Sequence, residues 1–122
     1  MFFDRPKSGE LAILVHLNLS HFHTSDDPRE FEELVLSAGG DPAAFVTGQR
    51  ARPDAKYFVG TGKVEELKEL VGLHEAQIVI FNHTLSPSQE RNLEAALECR
   101  VLDRTALMSV YYPPLPRPTN NL

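Results

Sequence analysis

Short apolar runs alternate with amphipathic helical patterns along most of this chain, and that alternation limits the folds available to it. Residues 11–17 and 77–81 are nearly continuous apolar runs, which are typical of strands covered on both faces. Shorter runs at residues 43–47 and 100–102 complete a set of four predicted strands. Strands separated by helices indicate right-handed crossovers, so we predict an α/β fold with a four-stranded, mainly parallel sheet.

About three helices are predicted to flank this sheet, each with a recognisable beginning or end. The first begins after Asp27, which can cap it, and Glu30 would complete a capping box. It should end at Gly39 and Gly40, where a left-handed backbone is easily adopted. A second helix covers about residues 63–73.

The third helix repeats the starting pattern of the first. Ser86 is the predicted cap, Pro87 suits the first helical position, and Gln89 stands three residues after the cap. Leu93 and Leu97 follow at helical spacing, so one face of this helix should be buried.

The last part of the chain departs from this pattern. Four prolines within residues 113–118 exclude a helix or a central strand there. We therefore divide the chain into an α/β domain at residues 1–107 and an extended, disordered Pro-rich C-terminal tail at residues 108–122.

Composition excludes some classes of protein. No run approaches the roughly 20 apolar residues that span a bilayer, and the first residues do not resemble a secretory signal. A single cysteine, Cys99, excludes an internal disulfide, so we expect a cytoplasmic protein and a buried, structural thiol.

Charge is distributed unevenly. The formal net charge of -5 argues against general nucleic-acid binding. Residues 48–63, however, carry four cations against one acid, Asp54. Such a basic segment could contact phosphates, or it could be an ordinary solvated loop. The four cations are Arg50, Arg52, Lys56 and Lys63.

Gly60-Thr61-Gly62-Lys63 resembles a phosphate-binding turn because it leads into a helix. A Walker A loop, however, needs glycine where Tyr57 stands and a hydroxyl residue where Val64 stands. We therefore expect no GTP binding here, and instead a tight turn whose glycines adopt positive φ.

A polar cluster follows the third strand. Asn82, His83 and Ser86 lie just past its carboxyl end, where open α/β sheets bind ligands. Alternatively, Asn82 and Ser86 only satisfy backbone groups of a turn and a helix start. His21 and His23 lack a third close ligand, so no metal site is predicted.

Three segments, taken together, resemble the HflX family of translational GTPases. They are residues 56–67, residues 80–94 and residues 100–105. The second contains the long and unusual run Leu-Ser-Pro-Ser-Gln-Glu-Arg-Asn-Leu. The resemblance covers residues 9–107 and places them in the N-terminal domain of that family.

The resemblance implies a function that composition does not. Proteins of this family bind the large ribosomal subunit and GTP, and their N-terminal domain contacts ribosomal RNA and packs against a G domain. The basic residues of segment 48–63 thereby become candidate contacts to ribosomal RNA. ATP binding is also ascribed to this region in some members, and the residues that would form such a ligand crevice are Gly60, Gly62, Asn82, His83, Ser86 and Arg91.

The chain departs from the family after residues 106–108. The linker, the Walker A loop and the guanine-specificity motif do not follow, so we expect no enzymatic activity and no cofactor in this chain. A truncated gene product, a shifted reading frame and an independent fragment remain open. Two other functions are also open: an adenine-nucleotide or small-molecule binding domain, and a structural remnant that self-associates through residues 110–112.

Overall fold

The computed structural model describes residues 10–20 and 27–111, which form a four-stranded sheet with helices on both faces. All strand pairs are parallel, in the order β2-β1-β3-β4. The predicted α/β class is confirmed. The elements in chain order are β1 (Leu11–Leu19), α1 (Pro28–Ser37), β2 (Asp41–Arg50), α2 (Thr61–His74), β3 (Ile78–Phe81), α3 (Pro87–Leu97), β4 (Arg100–Leu102) and α4 (Arg104–Tyr111).

Two hydrophobic clusters lie on opposite faces of the sheet because side chains alternate along each strand. Ile13, Val15 and Leu17 of β1 pack in the cluster that includes buried residues of α2 and α3. Ala12 and Leu14 of the same strand belong to the cluster of α1 and α4. A central strand buried on both faces accounts for the continuous apolar run in the sequence.

Helix ends follow the predicted capping residues, with one difference. Ser86 and Gln89 form the complete capping box of α3. Gly39 has φ 95° just after α1, as a left-handed helix terminator should. The capping box predicted for α1 is not formed: the Asp27 carboxylate accepts from the Arg29 N–H, and the Glu30 N–H donates to the Asp27 carbonyl.

The predicted beginning of the C-terminal tail is wrong, because residues 108–111 belong to α4. Alanine, leucine and methionine at residues 106–108 are good helix formers. A proline acts most strongly on the backbone of the residue before it, so the prolines that begin at position 113 do not require the helix to end at residue 107. The helix therefore continues to Tyr111, and residues 112–122 lie outside the described part of the chain.

The strand order determines which ends of the sheet can hold a site. The chain runs from β1 to β2 on one side of β1, and then crosses to β3 on the other side. The crossovers that follow β1 and β3 therefore run to opposite sides of the sheet, and in such sheets ligands bind at the carboxyl edge beside this change of direction. Within residues 10–20 and 27–111, no helix is long and apolar enough to cross a membrane.

Candidate nucleic-acid interface

The segment that joins β2 to α2 carries three exposed cations at the carboxyl edge of the sheet. Arg50 is the last residue of β2, and Arg52 and Lys56 follow it. We call residues 50–58 the basic loop. The fourth predicted cation, Lys63, lies outside this loop, in the first turn of α2.

Hydrogen bonds fold the basic loop around Asp54. One carboxylate oxygen of Asp54 accepts from the N–H groups of Lys56 and Tyr57, each at 2.9 Å. The backbones of Asp54 and Phe58 pair through two further bonds of 2.9 Å. The N–H groups of Tyr57 and Lys56 stabilise the carboxylate and hold the pKa of Asp54 below its ordinary value. The one acid in the loop is therefore engaged with backbone.

Two aromatic contacts anchor the end of the loop to the core. Phe58 has φ 68°, which is uncommon for a bulky residue. Its ring lies 4.9 Å from the His83 ring and 6.4 Å from the Phe81 ring, between centroids. Phe58 is 5% exposed, so burial of its ring offsets the backbone cost.

The first turns of α3 support the same loop from outside. The Gln89 side-chain amide donates to the Asp54 carbonyl at 2.8 Å. The Asn92 side-chain amide donates to the Lys56 carbonyl at 3.0 Å. Sequence reasoning did not assign this role to Gln89 and Asn92, although the unusual run at residues 85–93 contains both. That run was the signal that could have indicated them.

The cations differ in what they contact. Among the described residues, no carboxylate forms an ion pair with Arg50, Arg52 or Lys56. Arg50, which is exposed, donates its Nε–H to the Arg52 carbonyl at 3.0 Å, and its Nη1 lies beside Gly60 at the start of α2. Lys63, by contrast, donates to the Thr47 carbonyl at 2.9 Å and to Glu66 at 3.0 Å.

A cleft of about 270 Å³ lies between the ends of β1 and β2 and the beginning of α2. Its lining residues are Leu17, Gly48, Gln49, Arg50, Gly60, Gly62 and Lys63. The expectation of positive φ is wrong for Gly60, which has φ -72° and caps α2, and Gly62 lies within that helix. A Cβ on Gly60 would come within 2.7 Å of Arg50 Nη1. The absence of a side chain at Gly60 therefore makes room for Arg50.

The other predicted crevice residues do not line this cleft. His83 Nε2 accepts from the Leu17 N–H at 2.8 Å and so continues the contact between β1 and β3 past the last backbone pair. Asn82, 2% exposed, bonds through its amide nitrogen to His16 Nδ1 at 3.0 Å. Ser86 caps α3, and Arg91 lies exposed on that helix. His83 and Asn82 therefore do not line the cleft that Gly60 and Gly62 line.

The remaining candidate groups do not indicate a reactive thiol or, among the described residues, a metal site. Burial and the nearby Glu94 raise the pKa of Cys99 to about 11, so its thiol is protonated at neutral pH. His21 and His23 lie outside the described residues. Within residues 10–20 and 27–111, no three His, Cys, Asp or Glu side chains are grouped to hold a metal ion.

A more open cleft of about 650 Å³, which the sequence did not indicate, is lined by Thr84, Arg104, Thr105, Met108 and Ser109.

Comparison with known proteins places this geometry in a family context. Residues 25–109 match the family described as GTP-binding GTPase N-terminal. The GTPase HflX of Escherichia coli (strain K12) is 50% identical over 106 residues, which cover 87% of this chain and 25% of that protein. The GTPase HflX of Flavobacterium psychrophilum is 37% identical over 79 residues, which cover 65% of this chain and 19% of that protein.

The fold also has a solved counterpart. A GTP-binding protein from the hyperthermophilic archaeon Sulfolobus solfataricus, in complex with GDP, superposes with a TM-score of 0.60 at 18% identity. The match covers 84% of this chain and 30% of that one, and it shows the fold alone. The chain spans about a quarter of the length of the curated relative from Escherichia coli.

Proposed function

The chain belongs to the GTP-binding GTPase N-terminal family, and from this membership we propose that it is the ribosome-binding module of an HflX-type GTPase. The basic loop would contact phosphates of ribosomal RNA in the large subunit. One observation carries the proposal: Arg50, Arg52 and Lys56 are exposed on an ordered loop and form no ion pair with any described carboxylate.

A net charge of -5 does not oppose this proposal, because charge acts locally in salt solution. At physiological ionic strength the Debye length is about 8 Å. Acidic side chains on distant helix surfaces are therefore largely screened from a phosphate that touches the loop. Asp54, the one acid within the loop, hydrogen-bonds two backbone N–H groups and also attracts Arg50 and Lys56, so the loop keeps three cations against one acid.

Arginine suits this role for geometric reasons. Its planar guanidinium can donate two parallel hydrogen bonds to a phosphate, and it stays charged at any working pH. The loop presents two arginines and one lysine at the carboxyl edge of the sheet, with the amino end of α2 beside them. Positive charge and the helix dipole act in the same direction there.

GTP hydrolysis is assigned in this proposal to a G domain, the part of an HflX-type protein that the resemblance places after this segment. The curated relatives are named GTPases. Lys63 does not act as a phosphate-loop lysine here, because Thr47 and Glu66 hold its ammonium group. Contact with the G domain is the second partner interaction that we propose.

The geometry favours this proposal over binding of an adenine nucleotide. That alternative combined Gly60 with His83 in one crevice, yet the cleft at Gly60 is lined by neither His83 nor Asn82. His83 also uses its Nε2 on a backbone N–H. A nucleotide at Gly60 would have to use Arg50 and the helix start without those side chains.

The test is co-sedimentation of the 122-residue chain with purified large ribosomal subunits. The variant Arg52→Gln/Lys56→Gln removes two loop charges. The matched control, Arg29→Gln/Lys68→Gln, removes one arginine and one lysine from exposed positions on α1 and α2. We expect the loop variant to lose roughly tenfold or more in affinity at about 0.1 M salt, and the control to lose less than about twofold. Equal losses in both would refute the proposal.

A further inference from the structure

We propose that Gln89 and Asn92 are positioning residues that hold the basic loop in the form that contacts phosphate. The inference rests on the proposed function of that loop. Neither side chain would need to touch RNA: each acts through a backbone carbonyl of the loop, next to the cations that do.

The two side chains are placed as a pair. Gln89 and Asn92 are three residues apart on α3 and therefore point in similar directions. Their amide nitrogens donate to two loop carbonyls that are two residues apart, those of Asp54 and Lys56. One turn of helix thus fixes both ends of the tightest part of the loop.

Gln89 connects the helix start to the loop through a single carboxamide. Its oxygen accepts from the Ser86 N–H at 2.9 Å, which completes the capping box. Its nitrogen donates to the Asp54 carbonyl. The position of the loop is therefore tied to the first turn of α3, whose cap and buried Leu93 fix it on the core.

The presence of an asparagine at position 92 is not explained by the needs of the helix that contains it. Asparagine is a poorer helix former than alanine, because its amide competes for backbone groups. Position 92 lies in the middle of α3, where no cap is needed. The hydrogen bond to the Lys56 carbonyl accounts for its presence, since an apolar or shorter side chain could not make it.

Loss of either bond should loosen the loop without removing charge. A loop that samples several conformations must be ordered when it binds, and that cost lowers affinity. The number of phosphates neutralised does not change, so the salt dependence of affinity should not change either. Salt dependence alone does not separate a positioning role from a direct contact, because both side chains are uncharged. Hydrogen exchange does, because a side chain that only touched RNA would leave the loop amides protected when it is removed.

The first measurement does not involve RNA. Hydrogen exchange in the full 122-residue chain reports the N–H groups of Lys56, Tyr57 and Phe58, all bonded within the loop. Gln89→Glu keeps the capping acceptor but removes the donor to Asp54, and Asn92→Ala removes the other donor. Both should exchange these three amides at least about tenfold faster. Ser88→Glu, which adds the same charge in the same turn, should not.

Global stability provides the internal check. The Asn82 N–H, bonded to the Val15 carbonyl in the sheet, should keep its protection in every variant. Asn92→Ala should not lower the melting temperature, because alanine favours the helix. If the three loop amides keep wild-type protection in Gln89→Glu and Asn92→Ala, the two residues do not hold the loop and the proposal is wrong.

The second measurement is affinity for purified large ribosomal subunits. We expect Asn92→Ala to bind about three- to tenfold more weakly with an unchanged slope of log affinity against log salt. A faster-exchanging loop with wild-type affinity would also overturn the positioning role. In that case Arg52→Gln/Lys56→Gln separates the two ideas: if that variant binds weakly, only the positioning role fails, and if it binds normally, the proposed function fails as well.

Discussion

Replacing His83 with alanine should destabilise the fold strongly, since this side chain completes the contact between β1 and β3. His83 Nε2 accepts from the Leu17 N–H at 2.8 Å, and Leu17 is 1% exposed. Alanine would leave that buried N–H without its acceptor, which costs about 1–3 kcal/mol. Lost ring contacts with His16 and Phe58 add about 0.5–1.5 kcal/mol. The expected loss is therefore about 1.5–4.5 kcal/mol, a large share of the ~5–15 kcal/mol typical of a domain.

Urea unfolding followed by circular dichroism measures this loss. His83→Gln provides a second variant, because its side-chain oxygen can accept a hydrogen bond and should recover part of the stability. His74→Ala, in the last turn of α2, is the matched control and should cost less than about 1 kcal/mol. If His83→Ala costs no more than this control, His83 is not a structural residue, and its assignment to a ligand crevice regains support.

Three further predictions concern the loop, the thiol and the start of α2. The pKa of Asp54 lies below its ordinary value of 3.8 because two loop N–H groups bond its carboxylate. The ordered loop should therefore persist at pH values above 3.8 and loosen as the pH falls through the lowered pKa; loop amide shifts in NMR that do not change before the whole domain unfolds in acid would contradict this. With a pKa of about 11, Cys99 should react with iodoacetamide at pH 8 about 100-fold more slowly than a peptide thiol, and equal rates would contradict its burial. Gly60→Ser should raise the melting temperature slightly, because serine can cap α2. It should also weaken ribosome binding, because its side chain would displace Arg50; unchanged binding would show that the position of Arg50 does not matter for binding.

The elements of the fold were predictable where their signals are local. Ser86 with Gln89, and Gly39 after the first helix, are capping signals within a few residues, and the structure uses them as expected. The predicted beginning of the tail, at residue 108, was wrong because the prolines that begin at position 113 do not determine where the preceding helix ends. Strand order depends on how crossovers pack, which no local pattern records.

The candidate site was predictable only in part, for a different reason. A count of charges identified the basic segment, in which Arg50, Arg52 and Lys56 are exposed and Lys63 is partly buried. The shape of the basic loop depends on two hydrogen bonds from α3, to Asp54 and to Lys56. The bonded residues are separated by 35 positions in the first case and by 36 in the second. Phe58 adopts a left-handed backbone because the core receives its ring, and propensity alone would predict the opposite.

The salt dependence of binding to purified large ribosomal subunits tests the central claim most directly. If the basic loop contacts phosphates, the plot of log affinity against log salt should slope downward, and Arg52→Gln should reduce the magnitude of that slope by about one unit. Arg29→Gln, on α1, should leave the slope unchanged. A slope that is the same for the wild type and both variants would mean that the loop contacts no phosphate, and the account would be wrong.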